Sequence, residues 1–346
     1  MEQIRPFGLT PDGKSVECVL LRDGAMSCEL LTYGATLRSL IVPDRDGRPT
    51  DIVLGFDRLE DYIAHDAHFG GTIGRFANRI AHGRFSLNGT EYTLPLNDGE
   101  NHLHGGPDGF DRVVWTVERL TENSVILYRR SPDGEMGYPG NLDARVTYTL
   151  LDGALTISYD AVTDRDTLCS LTNHAYFNLN GHDDGDVLRQ MLCLDASFFT
   201  PTDASLIPTG ELASVAATPM DFAEPTAIGA RIRQAFGPLE AAGGYDHNYV
   251  RASPCCAYAW SRTTGITLTV LTDRPGVQLY TGNFLGNTPP GKGGAHYPQF
   301  GGFCLETQAF PDAPNHADFP SAVLRAGEHF QSTTIYAFGI TKEEHP

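Results

Sequence analysis

Two side chains far apart in this sequence carry the plainest chemical signal. One is His174, in the segment LTNHAYFNL at 171–179; the other is Glu306, in GGFCLETQ. The ordinary pKa of histidine lies near neutrality, so His174 can give or take a proton at physiological pH. Asn173 and Asn178 on either side offer amides that would fix its ring. Glu306 follows the apolar run Phe303, Cys304, Leu305, which reads as the end of a buried strand. Burial would raise the proton affinity of its carboxylate towards the working pH. A buried, unpaired charge is costly, so Glu306 must be paired, protonated or used. A histidine and a carboxylate of this kind are what a proton-transfer site needs.

Three further clusters lie before and between them. GRFANRI at 74–80 sets Arg75 and Arg79 around Asn78, either a donor fork for an oxygen-rich ligand or part of a surface salt bridge. NHLHGG at 101–106 spaces His102 and His104 two apart, which on a strand puts both imidazoles on one face, where they could coordinate a metal. No carboxylate or thiol stands at a familiar ligand spacing, however, and Gly105 and Gly106 suit a turn that presents His104 to a pocket without any metal. GGYDHNYV at 243–250 places Asp246 and His247 after a diglycine, a weak signal alone. The aromatic residues near the C-terminal motifs, Tyr280, Phe284, Phe300 and Phe303, read as core.

The elements that would have to position these groups read as strands. RVTYTLL and ALTISYDAV alternate apolar and polar residues on either side of Asp152 and Gly153, a strong two-residue hairpin signal. AMSCELLTYGATLRSLIVP, VVWTVERL, SVILYRR, ITLTVLTD and TTIYAFGI continue the pattern. Helical periodicity is confined to LEDYIAH near residue 60 and AIGARIRQAF at 227–236. NTPPGKGGAHYP at 287–298 is flanked by strand-like sequence and reads as a loop within a domain. The expectation is an all-β fold, two large packed sheets or a barrel with a few short helices, in a single domain over 1–346.

Composition narrows the partners. With 43 acidic against 25 basic residues, a net charge of −18, the surface would repel phosphate backbones and anionic lipid, so neither nucleic acid nor a membrane is expected as a partner. No apolar run approaches the roughly 20 residues of a membrane span, and MEQIRPFGLTPDG lacks the pattern of a secretory signal. Seven scattered cysteines read as small buried hydrophobes. A cytoplasmic protein is expected.

Taken together, GRFANRI, NHLHGG, LTNHAYFNL, YDHNYV, GVQLYTGN and LETQAFPDAPNHADFPS, in that order, resemble the aldose 1-epimerase (galactose mutarotase) family over nearly the whole chain, from about Met26 to Gly339. The resemblance implies a single large β-sandwich with an open cleft. It also implies interconversion of the α and β anomers of a free aldose, with Glu306 as base and His174, as imidazolium, as acid. Asn78, Arg79, His104, Asp246 and Gln278 would bind the sugar, and an aromatic ring could stack on its apolar face. No metal and no organic cofactor is implied, and the chain would work as a monomer or weak dimer. Three rivals keep part of this reading: a sugar-binding protein without turnover, a glycoside hydrolase using Asp246 and Glu306 as its carboxylates, and an epimerase of a phosphorylated sugar, which would want cations beyond Arg79.

Overall fold

The computed structural model describes residues 3–341. The hairpin expected at Asp152–Gly153 forms: strands Leu142–Leu151 and Ala154–Thr163 pair antiparallel, with φ 51° at Asp152 and 79° at Gly153. Both values are left-handed, as a tight primed turn requires. Along the first strand Leu142, Ala144, Val146, Tyr148 and Leu150 are buried and their neighbours are not, so one face packs inward.

These strands belong to a nine-stranded antiparallel sheet that also holds Thr116–Leu120, Ser124–Ser131, His329–Ile340, Ile266–Thr272 and Cys255–Trp260. Against it lie two five-stranded sheets. One is built from the N-terminal strands Ile4–Leu9 to Pro49–Asp51, and the other contains Asp246–Val250, Gly276–Tyr280 and Cys304–Gln308. One apolar cluster joins all three, from Val19 and Leu37 through Val146 and Ile157 to Tyr249, Leu279 and Leu305. The fold is therefore the expected all-β sandwich, and the burial of these side chains at about 25 cal/mol per Å² is its main support.

Helices are marginal. Among the described residues the α-helices are Leu59–Ala64, as expected, and Gly237–Ala242. The segment at 227–236 forms only a short 3₁₀ turn, Ile228–Ala230, instead of the expected helix. Gly229 donates its N–H to the Leu188 carbonyl, and a Cβ there would come within 2.7 Å of the Leu188 Cβ. Tertiary contact has overridden local periodicity. The Pro/Gly-rich loop at 287–298 is pinned by buried Lys292, whose ammonium donates to Asp51 Oδ2 at 2.6 Å and to the carbonyls of Arg38 and Val53. Five of the seven cysteines are buried and all are free. No helix among the described residues is long and apolar enough to cross a membrane.

Candidate active site

The floor of the site is one face of the sheet that holds Glu306. Antiparallel pairing sets Asn248 opposite Gln278 and Gln278 opposite Glu306, and likewise Asp246 opposite Tyr280 and Tyr280 opposite Cys304. Residues opposite one another, or two apart on one strand, share a face. Asp246, Gln278, Tyr280, Cys304 and Glu306 thus point the same way, while Val277, Leu279 and Leu305 point into the core. Gln278 donates Nε2–H to Asp246 Oδ1 at 2.7 Å and accepts from Gln308 at 3.2 Å. Its amide therefore orients Asp246 from behind the cleft.

His174 forms the facing wall. It follows strand Thr72–Ile73's partner, Thr172–Asn173, and its backbone is bonded to Gly70 and Gly71 on the neighbouring turn. Asn173 fixes that turn by donating Nδ2–H to the Gly70 carbonyl at 2.7 Å, whereas Asn178 bonds elsewhere, to Gly185 and Gly301. His174 Nε2 lies 3.8 Å from Glu306 Oε2, and Nδ1 lies 3.5 Å from Cys304 Sγ. The two groups singled out first in the sequence, 132 positions apart, converge.

The third wall is a short strand pair, Arg79–Ile80 with His102–Leu103, preceded by Asn78 and followed by His104. Asn78 and His104 both have left-handed backbones, φ 68° and 54°, an uncommon state for residues other than glycine. The Asn78 N–H donates to His104 Nδ1 at 3.2 Å and the Asn78 side-chain oxygen accepts from the Arg79 N–H at 2.9 Å. Arg79 Nε donates to Asp98 Oδ2 at 2.7 Å. This wall separates residues that the sequence placed side by side. Arg75 is buried away from the cleft, donating to Ser131 Oγ and to the carbonyls of Ser131, Pro132 and Pro139, so the expected two-arginine fork reduces to Arg79. His102 donates Nδ1–H to the Pro95 carbonyl at 2.7 Å and accepts from Tyr138 Oη at 2.8 Å, which leaves no nitrogen for a metal.

Burial dominates the electrostatics. It pushes the Glu306 carboxyl well above its ordinary range, helped by Asp246 and opposed by Arg79. It pushes His174 down to about 3, helped by His68 and opposed by Asp111. His104 is driven well below the usual imidazole range, again by burial and then by His68 and His174. Asp246 is raised, with Arg79 and Gln278 opposing. The protein alone thus favours a protonated Glu306 facing a neutral His174, the same single proton as in a carboxylate–imidazolium pair but on the other partner.

His104, His174 and Glu306 present donor atoms all within 4.8 Å of one another, a set that a divalent metal could accept. The hydrogen bonding of His104 points to another use. One of its nitrogens already accepts a backbone N–H, so in the neutral ring the other carries the proton and is a donor. A donor aimed into a cleft suits an oxygen of a bound ligand.

The cleft encloses a cavity of about 540 Å³ lined by Asn78, Arg79, His104, His174, Asp246 and Glu306. Gln278 stands behind Asp246. His68, Asp98 and Tyr176, which the sequence did not single out, also line it, as do Tyr280 on the floor and Phe284, which is 68% exposed and so not the core residue expected from the sequence. Tyr176 lies two positions after His174 and so had a signal in the alternation. Nothing local marks His68 or Asp98.

The sequence profile described as aldose 1-epimerase matches residues 17–337. Galactose mutarotase of Bos taurus is 44% identical over 339 residues, covering 96% of this chain and 97% of that one. Aldose 1-epimerase of Escherichia coli is 38% identical, covering 95% and 97%. Among solved structures, an aldose epimerase homologue from C. elegans superposes with a TM-score of 0.86 at 33% identity, covering 94% of this chain and 99% of that one. Galactose 1-epimerase from Lactobacillus acidophilus gives 0.86 at 29%, covering 99% and 98%.

Proposed function

We propose that this chain, which belongs to the aldose 1-epimerase family, interconverts the α and β anomers of a free aldose through Glu306 and His174. The observation that carries the reading is their approach: a carboxylate oxygen and an imidazole nitrogen 3.8 Å apart, both buried at the base of a cleft that Asn78, Arg79, His104 and Asp246 also line. Anomerisation needs two protons handled at neighbouring atoms. The O1 proton of the sugar must leave while the ring oxygen O5 gains one, the C1–O5 bond breaks, the aldehyde turns about C1–C2, and closure reverses both transfers. Glu306 takes the O1 proton and His174, as imidazolium, delivers one to O5. The opened sugar then faces a protonated Glu306 and a neutral His174, the forms that burial favours, so the low-polarity site assists opening. Each positioned group is worth about 10² to 10⁴ in rate.

Arg79, held by Asp98, and His104, held by the Asn78 N–H, donate to sugar oxygens. Asp246, steadied by Gln278, accepts from ring hydroxyls, and Asn78 completes the pose. No step calls for a metal or organic cofactor. The reading treats 1–346 as one aldose 1-epimerase domain, supported by the apolar cluster that spans the sheets, and takes the protein as cytoplasmic and as a monomer or weak dimer.

The pKa directions favour a second assignment, in which neutral His174 takes the O1 proton and protonated Glu306 serves O5. The two have the same proton count, so a pH profile does not separate them. A crystal structure of the Glu306→Gln variant with galactose does: the substituted amide beside O1 supports the first assignment, and beside O5 the second. The activity itself is tested by polarimetry on freshly dissolved α-glucose, α-galactose, xylose, arabinose and a hexose 6-phosphate, with a nitrophenyl glycoside as control. Accelerated rotation of neutral aldoses with the glycoside intact is expected. Cleavage of the glycoside, or no acceleration with any aldose, would overturn the reading.

A further inference from the structure

His68 and Asp111 lie beside the proton-transfer pair but take no part in the proton transfers themselves. His68 belongs to the turn that precedes strand Thr72–Ile73 and adopts φ 55°, a strained left-handed state for histidine. That turn is bonded to the segment carrying His174: the Gly71 N–H reaches the His68 carbonyl, the Gly70 N–H the His174 carbonyl, and the His174 N–H the Gly71 carbonyl. The two imidazoles therefore ride on one hydrogen-bonded unit. Their rings stack, 5.7 Å between centroids and 30° between planes. Tyr176 also stacks on His174, at 5.0 Å and 25°, and His104 and Tyr280 meet it edge-on.

Asp111 holds His68 from behind. Its Oδ2 accepts from His68 Nδ1 at 2.7 Å, which places the ring proton on Nδ1 and turns the other edge of His68 to the cavity. Although buried, Asp111 stays below the usual carboxylate range because His68 and Arg112 offset the burial. Its Oδ1 has no hydrogen-bond partner among the described residues. The turn is moulded to Asp111 as well: a Cβ at Gly71 would come within 2.7 Å of the Asp111 Cβ.

We propose that His68, anchored by Asp111, is a positioning residue that holds the His174 ring in the orientation presenting Nε2 to Glu306. The proposal rests on the reading of His174 as a proton-transfer group. At His174 the charges of His68 and Asp111 act in opposite directions, the lowering by His68 being the larger. The other groups facing His174 are Glu306, Cys304, Tyr176, Tyr280 and His104.

The test uses His68→Gln, which keeps a donor for Asp111 but loses the ring, and His68→Phe, which keeps a ring but loses the donor. His68→Gln keeps a donor for the buried Asp111 carboxylate and should be tolerated, whereas His68→Phe strips that donor and should lower Tm, which circular dichroism and thermal melts check. Each variant is expected to lower kcat for galactose at least about tenfold, the scale of a misplaced reacting group, with KM within about twofold. The ring resonances of His174 should shift and broaden as the ring leaves its single orientation. Asp111→Asn should lower kcat in the wild-type background and add little to His68→Gln. Wild-type kcat with an unchanged His174 spectrum in both His68 variants would overturn the proposal, as would losses of kcat and Tm that move together with that spectrum unchanged. If His174→Asn itself keeps full turnover, the reading of His174 fails, while the ring resonances of His174 in the His68 variants still decide whether His68 holds the ring.

Discussion

Two neighbouring regions of this molecule are built from the same residue types and put to opposite uses. Behind the cleft, Arg75, His102 and Tyr138 form a buried polar hub in which the Arg75 guanidinium donates four hydrogen bonds and both His102 nitrogens are occupied. In the cleft, four positions after Arg75 and two after His102, Arg79 is held by one carboxylate through Nε, and His104 by one backbone N–H. The difference lies in capacity left over. The hub commits four of the five guanidinium N–H groups and both imidazole nitrogens to the chain, whereas the cleft fixes each side chain through one group and leaves the others for a ligand. Chemistry is legible where the protein orients a polar group without satisfying it.

Substitutions can break or sharpen that contrast. The largest effect is expected at the pair itself: Glu306→Gln should lower kcat by about 10² to 10⁴, and His174→Asn comparably, with Tm nearly unchanged. Near wild-type turnover by polarimetry in either would remove that residue from the proton-transfer scheme. Next come the arginines. Arg75→Lys forfeits several bonds to buried carbonyls and should cost about 3 kcal/mol or more of folding stability, whereas Arg79→Lys should leave the urea midpoint unmoved and raise KM about tenfold. The same shift in both measurements for both variants would erase the distinction.

The smallest effect separates the histidines. Burial holds His102 at about 4 against an unfolded value near 6.5. The unfolded chain thus gains a proton first on acidification, and the stability contributed by the neutral ring, full above about pH 6.5, is lost as the pH falls towards 4. His102→Ala should cost about 1 to 3 kcal/mol at pH 7 and leave less acid sensitivity over that window, with kcat/KM little changed. His104→Ala should instead raise KM several-fold. Urea titrations at pH 7 and pH 5 beside steady-state kinetics check both.

How much of this could be read beforehand follows from the range of each signal. The Asp152–Gly153 hairpin was legible because the turn type and the alternation are local. So was the convergence of His174 and Glu306 as chemical types, although their facing geometry depends on a sheet register set over long range. Arg75 and Arg79 were indistinguishable in sequence, since their separation depends on the loop at 131–139 reaching Arg75. The helix expected at 227–236 failed because Gly229 is pressed against Leu188, a contact invisible to periodicity. His68 escaped notice for a similar reason: its placement depends on a left-handed turn and on Asp111, 43 positions away.

The strand Cys304–Gln308 alternates between two environments, with Glu306 on the cleft face and Leu305 on the core face. A single inserted or deleted residue within it would exchange the faces, burying a carboxyl group among apolar side chains and offering the sugar a leucine. Lineages carrying this activity are therefore free to lengthen the bordering loops and are forbidden to change the length of these five positions, so the gaps in any comparison of descendants should crowd around this segment and spare it.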